Sequence, residues 1–157
     1  MGKIYSFLVL AALVTALRAE PTWQTNLEAA KAQAKKENKA LLLDFTGSDW
    51  CGYCIKLNAA VFSKPEFAKF AEKNLVLVEL DYPHGKKLPA DVKKQNDKLQ
   101  SKFNIEGFPT IMVMSADGKE LGRLVGYEGD NVTQYIKRLE KFLPKDVKKS
   151  SDSPAKS

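Results

Sequence analysis

Trp50-Cys51-Gly52-Tyr53-Cys54 is the stretch that organises this chain. It holds both cysteines of the 157-residue sequence, separated by two residues, at a point where an apolar run gives way to a helix-like segment. A structural disulfide stabilises mainly by closing a long loop of the unfolded chain, and a ring this small would contribute only about 2 kcal/mol, against ~4.7 kcal/mol for a 100-residue loop. The pair is therefore better explained by redox chemistry than by crosslinking.

The residues before the cysteines predict how the pair is presented. Residues 41–45 form an apolar run typical of a buried strand, and residues 47–49 are typical of the loop that leaves it. We expect Cys51 to open a helix, where free backbone N–H groups and the positive end of the helix dipole favour the thiolate. Cys51 is thus the expected nucleophile. Cys54, about one turn further on and away from solvent, is the expected resolving thiol; two inert core cysteines are the alternative.

Three motifs together resemble the thioredoxin superfamily. They are Trp50-Cys51-Gly52-Tyr53-Cys54, Asp44-Phe45 upstream of it, and Gly107-Phe108-Pro109-Thr110 downstream. The resemblance spans about residues 23–143. Within the superfamily, Val61-Phe62-Ser63-Lys64-Pro65 is most similar to exported bacterial proteins and to the C-terminal domain of the membrane-spanning disulfide reductase. The resemblance implies an α/β, thioredoxin-like fold, with a central mixed sheet of about four strands flanked by helices.

Asp44 is the candidate proton acceptor for Cys54. A carboxylate at the end of a buried strand should be desolvated, which raises its pKa towards the range useful for a general base. In thioredoxins a buried aspartate occupies this strand position, but the loop from Asp44 to Cys51 is one residue longer here, which leaves the reach of Asp44 open. The alternative is an aspartate whose oxygens accept local backbone N–H bonds.

The resemblance also implies a substrate-binding loop formed by Gly107, Phe108, Pro109 and Thr110. Pro109 would follow a cis peptide bond, which turns the Phe108 backbone outward so that an extended substrate segment pairs with it as an added strand. Trp50 and Phe108 would form an apolar rim around the nucleophile, with ordinary core packing as the alternative. Because proline offers no metal-binding group, this loop would also tend to keep metal away from the two sulfurs.

The two ends of the chain differ from its middle. Residues 1–19 carry Lys3, then 14 mostly apolar residues and small residues, which is typical of a secretory signal peptide and is shorter than the ~20 residues that span a bilayer. Residues 20–144 are the predicted thioredoxin-like domain, and residues 145–157 are a predicted disordered basic tail. We therefore expect an exported, periplasmic or extracytoplasmic protein that is soluble after signal cleavage; an uncleaved membrane anchor is the alternative.

The remaining pattern predicts the order helix, strand, helix, strand, helix, strand, strand, helix, without the optional first strand of thioredoxins. The strands fall at residues 41–46, 75–80, 110–114 and 120–125. The first helix would begin at Thr25, with a capping box to Glu28, and would turn Trp23 and Leu27 towards the sheet. The last helix would have Asp130 as its N-cap.

Charge and composition narrow the function. Removing Lys3 and Arg18 with the signal peptide lowers the net charge from +6 to +4, and the lysines are dispersed among acidic residues, which argues against nucleic-acid binding. Two thiolates could hold Cu(I). A zinc site needs four ligands, however, and the only histidine, His84, lies in a predicted surface loop.

The expected function is thiol–disulfide exchange with protein disulfides, by a monomer that needs no cofactor. The Gly-Tyr pair between the cysteines does not fix the direction of exchange, and the resemblance to the reductase domain favours reduction. A reductant in an oxidising compartment needs an outside electron donor, for which we expect a membrane disulfide reductase. The alternatives are a redox-inactive binding module with the same surface and a soft-metal (copper) handling protein.

Overall fold

The computed structural model describes residues 21–147. The predicted signal peptide at residues 1–19, and residues 148–157 of the predicted tail, lie outside the described part. The elements in chain order are β1 (Trp23–Gln24), α1 (Leu27–Glu37), β2 (Ala40–Thr46), α2 (Gly52–Leu57), a π-helical turn (Asn58–Phe62), α3 (Pro65–Asn74), β3 (Leu75–Asp81), α4 (Ala90–Lys102), β4 (Thr110–Met114), β5 (Glu120–Val125) and α5 (Val132–Glu140). No helix within residues 21–147 is both long and apolar enough to cross a membrane.

The strands of this region form one mixed sheet in the order β1-β3-β2-β4-β5. β1 and β2 pair with β3 in parallel, whereas β4 is antiparallel to β2 and β5 is antiparallel to β4. The expected α/β architecture is thus confirmed. β1 is additional to the four expected strands: it is two residues long, too short to carry a period-two pattern, and it pairs along the edge of β3.

Helices cover both faces of the sheet, which explains why β2 and β3 are nearly continuous apolar runs. Alternate side chains of these strands enter two separate cores. One core, with Leu42 and Leu77, lies against α3 and α5 and includes Tyr135. The other core, with Leu41, lies against α1 and α4 and includes Leu99. A residue's position along β2 or β3 therefore decides which core it joins.

The start of α1 differs from the prediction. Asn26, not Thr25, is the N-cap, and its Oδ1 accepts a hydrogen bond from the Ala29 N–H at 2.9 Å. Trp23 belongs to β1 and packs in the core opposite to that of α1, where its ring lies 5.2 Å from that of Phe62. The helical spacing between Trp23 and α1 was therefore misleading, because the chain is extended before Asn26.

The start of α5 is also shifted by one residue. Asn131 is the N-cap and forms a reciprocal capping box with Gln134, with both hydrogen bonds at 3.0 Å. The predicted cap, Asp130, instead pairs its carboxylate with Arg138 of the same helix. The N-cap of α5 therefore lies one residue later than predicted.

The ordered chain continues past Pro144. Residues 145–147 have a helical backbone, and Val147 is buried. The prediction of disorder is therefore wrong for these three residues.

Candidate active site

Cys51 and Cys54 form a disulfide at the start of α2, with their Cα atoms 5.2 Å apart. Cys51 is the N-cap residue, and its Sγ accepts a hydrogen bond from the Cys54 N–H at 3.2 Å. This confirms that Cys51 opens the helix. Cys51 and Cys54 are 7% and 4% exposed, so solvent exposure does not distinguish the attacking cysteine from the resolving one. After reduction, the backbone N–H at the helix start favours negative charge on the Cys51 sulfur.

Large apolar side chains surround this disulfide at the surface. Trp50, Tyr53 and Ile55 are 42%, 61% and 49% exposed. Contiguous exposed apolar patches mark contact sites for other molecules, so these neighbouring side chains are candidates for such a contact. Trp50 was expected here. Tyr53 and Ile55 were missed, although their positions beside Cys54 on the first turn of a helix could have indicated an outward orientation.

Trp50 is fixed in place by the loop that follows β3. Its Nε1 donates a hydrogen bond to the Tyr82 carbonyl at 2.7 Å, and its ring stacks on His84 with centroids 4.5 Å apart. The Phe108 ring approaches it edge-on at 5.9 Å. His84 is exposed in a surface loop as expected, but the sequence did not reveal that it supports the tryptophan beside the disulfide.

Two aspartates join the loop before Cys51 to the loop after β3. Asp49 accepts hydrogen bonds from the backbone N–H groups of His84, at 3.0 Å, and Gly85, at 2.6 Å, and these bonds lower the pKa of Asp49. Asp81 accepts bonds from the Ser48 N–H at 2.9 Å and from its hydroxyl at 2.7 Å. The loop between β2 and Cys51 is therefore anchored at both Ser48 and Asp49.

We expect Gly47→Ala to displace Trp50, because an added Cβ would lie 2.7 Å from Cζ2 and Nε1 of the indole ring. Overpacking of this kind lowers the free energy of unfolding by roughly 1–3 kcal/mol. Chemical denaturation, with indole fluorescence as the probe, measures the loss. Gly52→Ala is the matched control, since a Cβ there meets no atom within 4 Å. Equal denaturation midpoints for the two variants would contradict the clash.

Asp44 is buried near the end of β2, with 8% of its surface exposed. Among the described residues, its Oδ1 has no hydrogen-bond partner, which argues against the alternative of a carboxylate held by local N–H bonds. Desolvation raises the pKa of Asp44 well above its ordinary value, and the charges of Glu79 and Asp81 raise it further. Such a carboxyl group holds its proton more tightly than an exposed aspartate does, so its carboxylate is the stronger base.

Asp44 and Cys54 share a cavity, so the longer loop does not separate them. The cavity has a volume of about 290 Å³ and is lined by Trp23, Asp44, Thr46, Ser48, Cys54, Ile55, Asn58, Phe62 and Glu79. Glu79 was missed in the sequence. The signal was present, because Glu79 is a charged residue within the otherwise apolar run of residues 75–80.

The predicted substrate loop lies beside the tryptophan. The Phe108–Pro109 peptide bond is cis. Phe108 is half-buried and stacks on Tyr82 with ring centroids 5.0 Å apart. Thr110 is buried, and its hydroxyl donates a hydrogen bond to the Gly107 carbonyl at 2.8 Å, so this side chain closes the turn rather than facing solvent.

A second, larger cavity opens next to this loop. Its volume is about 600 Å³, and its walls come from Trp50, Phe108, the loop after β3 and α4. Tyr82 lies between these walls, with its hydroxyl bonded to the Asn96 carbonyl at 2.7 Å. The surface near the disulfide therefore offers both an exposed apolar rim and a recess.

Comparison with known proteins places this arrangement in a family. The thioredoxin-like domain matches residues 27–143 of the chain. The chain belongs to the thioredoxin-like family. With its Cys51–Cys54 pair, it is a thiol–disulfide oxidoreductase of that family, and the expected resemblance is confirmed.

A relative and a solved structure, both named DsbH, illustrate the similarity of this thioredoxin-like protein to known proteins. The disulfide bond reductase DsbH of Chlamydia pneumoniae is 33% identical over 121 residues, which cover 77% of this chain and 72% of DsbH. A solved DsbH oxidoreductase structure has a TM-score of 0.74 and 33% identity, covering 80% of this chain and 85% of that one. The similarity thus extends over most of both chains.

Another similarity is limited to one part of a larger protein. The thiol:disulfide interchange protein DsbD of Cronobacter sakazakii is 35% identical over 104 residues, which are 65% of this chain but 16% of DsbD. The oxidised DsbD C-terminal domain of Neisseria meningitidis has a TM-score of 0.53 and 20% identity, covering 72% of this chain and 89% of that domain. That structure supports the shared fold.

Proposed function

We propose that this thioredoxin-like protein is an exported disulfide reductase that acts on protein disulfides. The observation that carries the proposal is the position of Cys51, which caps α2 beside an apolar rim that is exposed to solvent. A helix N-terminus favours the attacking thiolate. The exposed side chains of Trp50, Tyr53 and Ile55 give an unfolded or extended protein segment an apolar surface to contact.

The proposed reaction proceeds in two exchanges. The Cys51 thiolate attacks one sulfur of the substrate disulfide; a mixed disulfide forms as the substrate bond breaks and releases one substrate thiolate. Cys54 then loses its proton to Asp44 and attacks the Cys51 sulfur. This step closes the Cys51–Cys54 bond and releases the second substrate thiolate. Two electrons pass from the dithiol to the substrate, and the released thiolates take protons from water.

Substrate binding is proposed for the surface between Trp50 and the loop of Gly107 to Thr110. The Phe108 and Pro109 backbone would pair with an extended substrate segment, and the recess of about 600 Å³ beside Phe108 has room for an apolar substrate side chain. Thr110 would act by holding the Gly107 turn, because its hydroxyl is already bonded there.

Reduction is the favoured direction because the relative with 33% identity is named as a disulfide bond reductase. A protein that gives electrons to substrates in an oxidising compartment must be reduced again. We propose a membrane disulfide reductase as the donor, and residues 1–19 as the signal peptide that exports the chain to the periplasm or another extracytoplasmic space. The protein is proposed to act as a monomer without a cofactor.

Insulin reduction by dithiothreitol tests the proposal directly. We expect catalytic amounts of the purified protein to shorten the delay before reduced insulin precipitates, because its dithiol attacks protein disulfides faster than the small thiol does. The double variant Cys51→Ser, Cys54→Ser is the control. A delay equal to that of the control would favour a redox-inactive binding module, and copper bound to the anaerobically purified protein would favour metal handling.

A further inference from the structure

Glu79 and Asp44 are neighbours across two parallel strands. They are direct partners in the register of β2 and β3. Residues of the same parity on these strands, Leu42 and Leu77, enter one core, so both carboxyl side chains project to that face of the sheet. Adjacent strands lie about 4.8 Å apart. The two carboxyl groups therefore begin from neighbouring backbone positions on the same face.

Both carboxyl groups also line the cavity that contains Cys54. Asp44 is buried, whereas Glu79 is half-buried. Glu79 also lines a neighbouring cavity of about 80 Å³ together with Lys86, an exposed residue of the loop after β3. Glu79 is therefore the more accessible of the two acids, and it borders both the cavity of the resolving cysteine and a route towards the surface.

The groups around this pair favour retention of a proton. Burial makes the largest contribution to the raised pKa of Asp44, and the charges of Glu79 and Asp81 follow. Burial and Asp81 raise the pKa of Glu79, and Lys86 opposes them, although its ammonium is bound to Asp81 at 2.8 Å. From α5, burial raises the pKa of the Tyr135 hydroxyl, and the charge of Asp44 adds to this effect. Two adjacent acids in such surroundings do not readily ionise together.

We propose that Glu79 is the outer member of a coupled carboxyl pair and carries the Cys54 proton between Asp44 and solvent. The proton leaves the Cys54 sulfur for the Asp44 carboxylate, passes from Asp44 to the Glu79 carboxylate, and leaves Glu79 for water. Re-reduction of the disulfide returns a proton along the same route. Glu79 exchanges the thiol proton only through Asp44 and does not take it from the sulfur directly. The inference rests on the proposed role of Asp44 as the acceptor.

The coupling is tested by titrating side-chain carboxyl groups of the oxidised full-length protein with carbon-13 NMR. Glu79→Gln should lower the pH midpoint of Asp44 by about one unit, the size of shift that defines a coupled pair, because a like charge has been removed. Glu79→Asp keeps the carboxylate and should retain at least half of the coupling. Glu72→Gln, an exposed acid on α3, is the matched control and should leave the midpoint unchanged.

The relay is tested by the rate at which Cys54 resolves a mixed disulfide formed on Cys51. Stopped-flow measurements across pH should show that Glu79→Gln shifts the rate profile to lower pH by the same unit. At its alkaline plateau the rate should be about fivefold to tenfold lower, because Asp44 is then a weaker base and has lost its proton route. Glu79→Asp should recover most of the rate, and Glu72→Gln should match the wild type.

The outcomes separate this inference from the proposed function. An unchanged Asp44 midpoint in Glu79→Gln would overturn the coupling, and a shifted midpoint with an unchanged plateau rate would overturn the relay. Neither result would bear on the proposed reductase function, which the insulin assay tests separately. If Asp44→Asn resolves mixed disulfides at the wild-type rate, Asp44 is not the acceptor, and the relay is overturned together with that role.

Discussion

Cys51→Ser is expected to abolish disulfide exchange, whereas Cys54→Ser should keep the first attack and accumulate mixed disulfides with substrates. The reason is positional: Cys51 caps α2 with its sulfur facing the backbone N–H of Cys54. Loss of this thiolate removes the attacker. Loss of Cys54 removes only the group that resolves the intermediate. Insulin reduction measures the first effect, and mass spectrometry under non-reducing conditions measures the trapped species.

Alkylation kinetics of the reduced wild-type protein provide an independent check. Iodoacetamide should modify Cys51 faster than Cys54 at pH values below the ordinary range of thiol ionisation, because only the thiolate reacts. The two serine variants serve as mutual controls for assigning the rates. A faster reaction at Cys54 would reverse the assignment of nucleophile and resolving thiol.

Asp44→Asn is expected to slow resolution of the mixed disulfide at neutral pH by roughly 10²-fold, the low end of general-base contributions. Asp44 is the more buried of the two acids that share a cavity with Cys54, so its replacement removes the group proposed to take the thiol proton directly. Stopped-flow turnover of a preformed mixed disulfide isolates this step. The initial attack by Cys51 should be little changed, which makes it the internal control.

The same variant should be more stable than the wild type, increasingly so as pH rises. The pKa of Asp44 is raised in the folded protein, so between its ordinary value of 3.8 and the raised value the folded state holds a proton that the unfolded state has lost. Over this range the wild-type free energy of unfolding falls by ~1.4 kcal/mol per pH unit for that proton. Asparagine does not titrate, so this contribution is absent from the variant.

Denaturant midpoints measured at several pH values test this expectation. The midpoints of Asp44→Asn and the wild type should be closest in acid and should separate as pH rises. A variant with a lowered midpoint and unchanged resolution kinetics would show that Asp44 supports the fold and takes no part in proton transfer.

Much of the site could be predicted from the sequence because its central features are local. The spacing of Cys51 and Cys54 within one helical turn, and the loop that separates β2 from α2, are properties of adjacent residues. Strand and helix order likewise followed from apolar patterns. The capping residues of α1 and α5 were each misplaced by one position, because neighbouring polar residues compete for the same role and only the path of the chain selects between them.

The motifs of the chain were enough to predict the fold class, the redox pair and an acid upstream of that pair. The tertiary structure alone decided what surrounds these groups. The parallel register of β2 and β3 sets Glu79 beside Asp44, and the packing of the loop after β3 stacks His84 on Trp50. These contacts join residues far apart in the chain. Their consequences for proton affinity depend on burial and on the charges brought together, which no local pattern encodes.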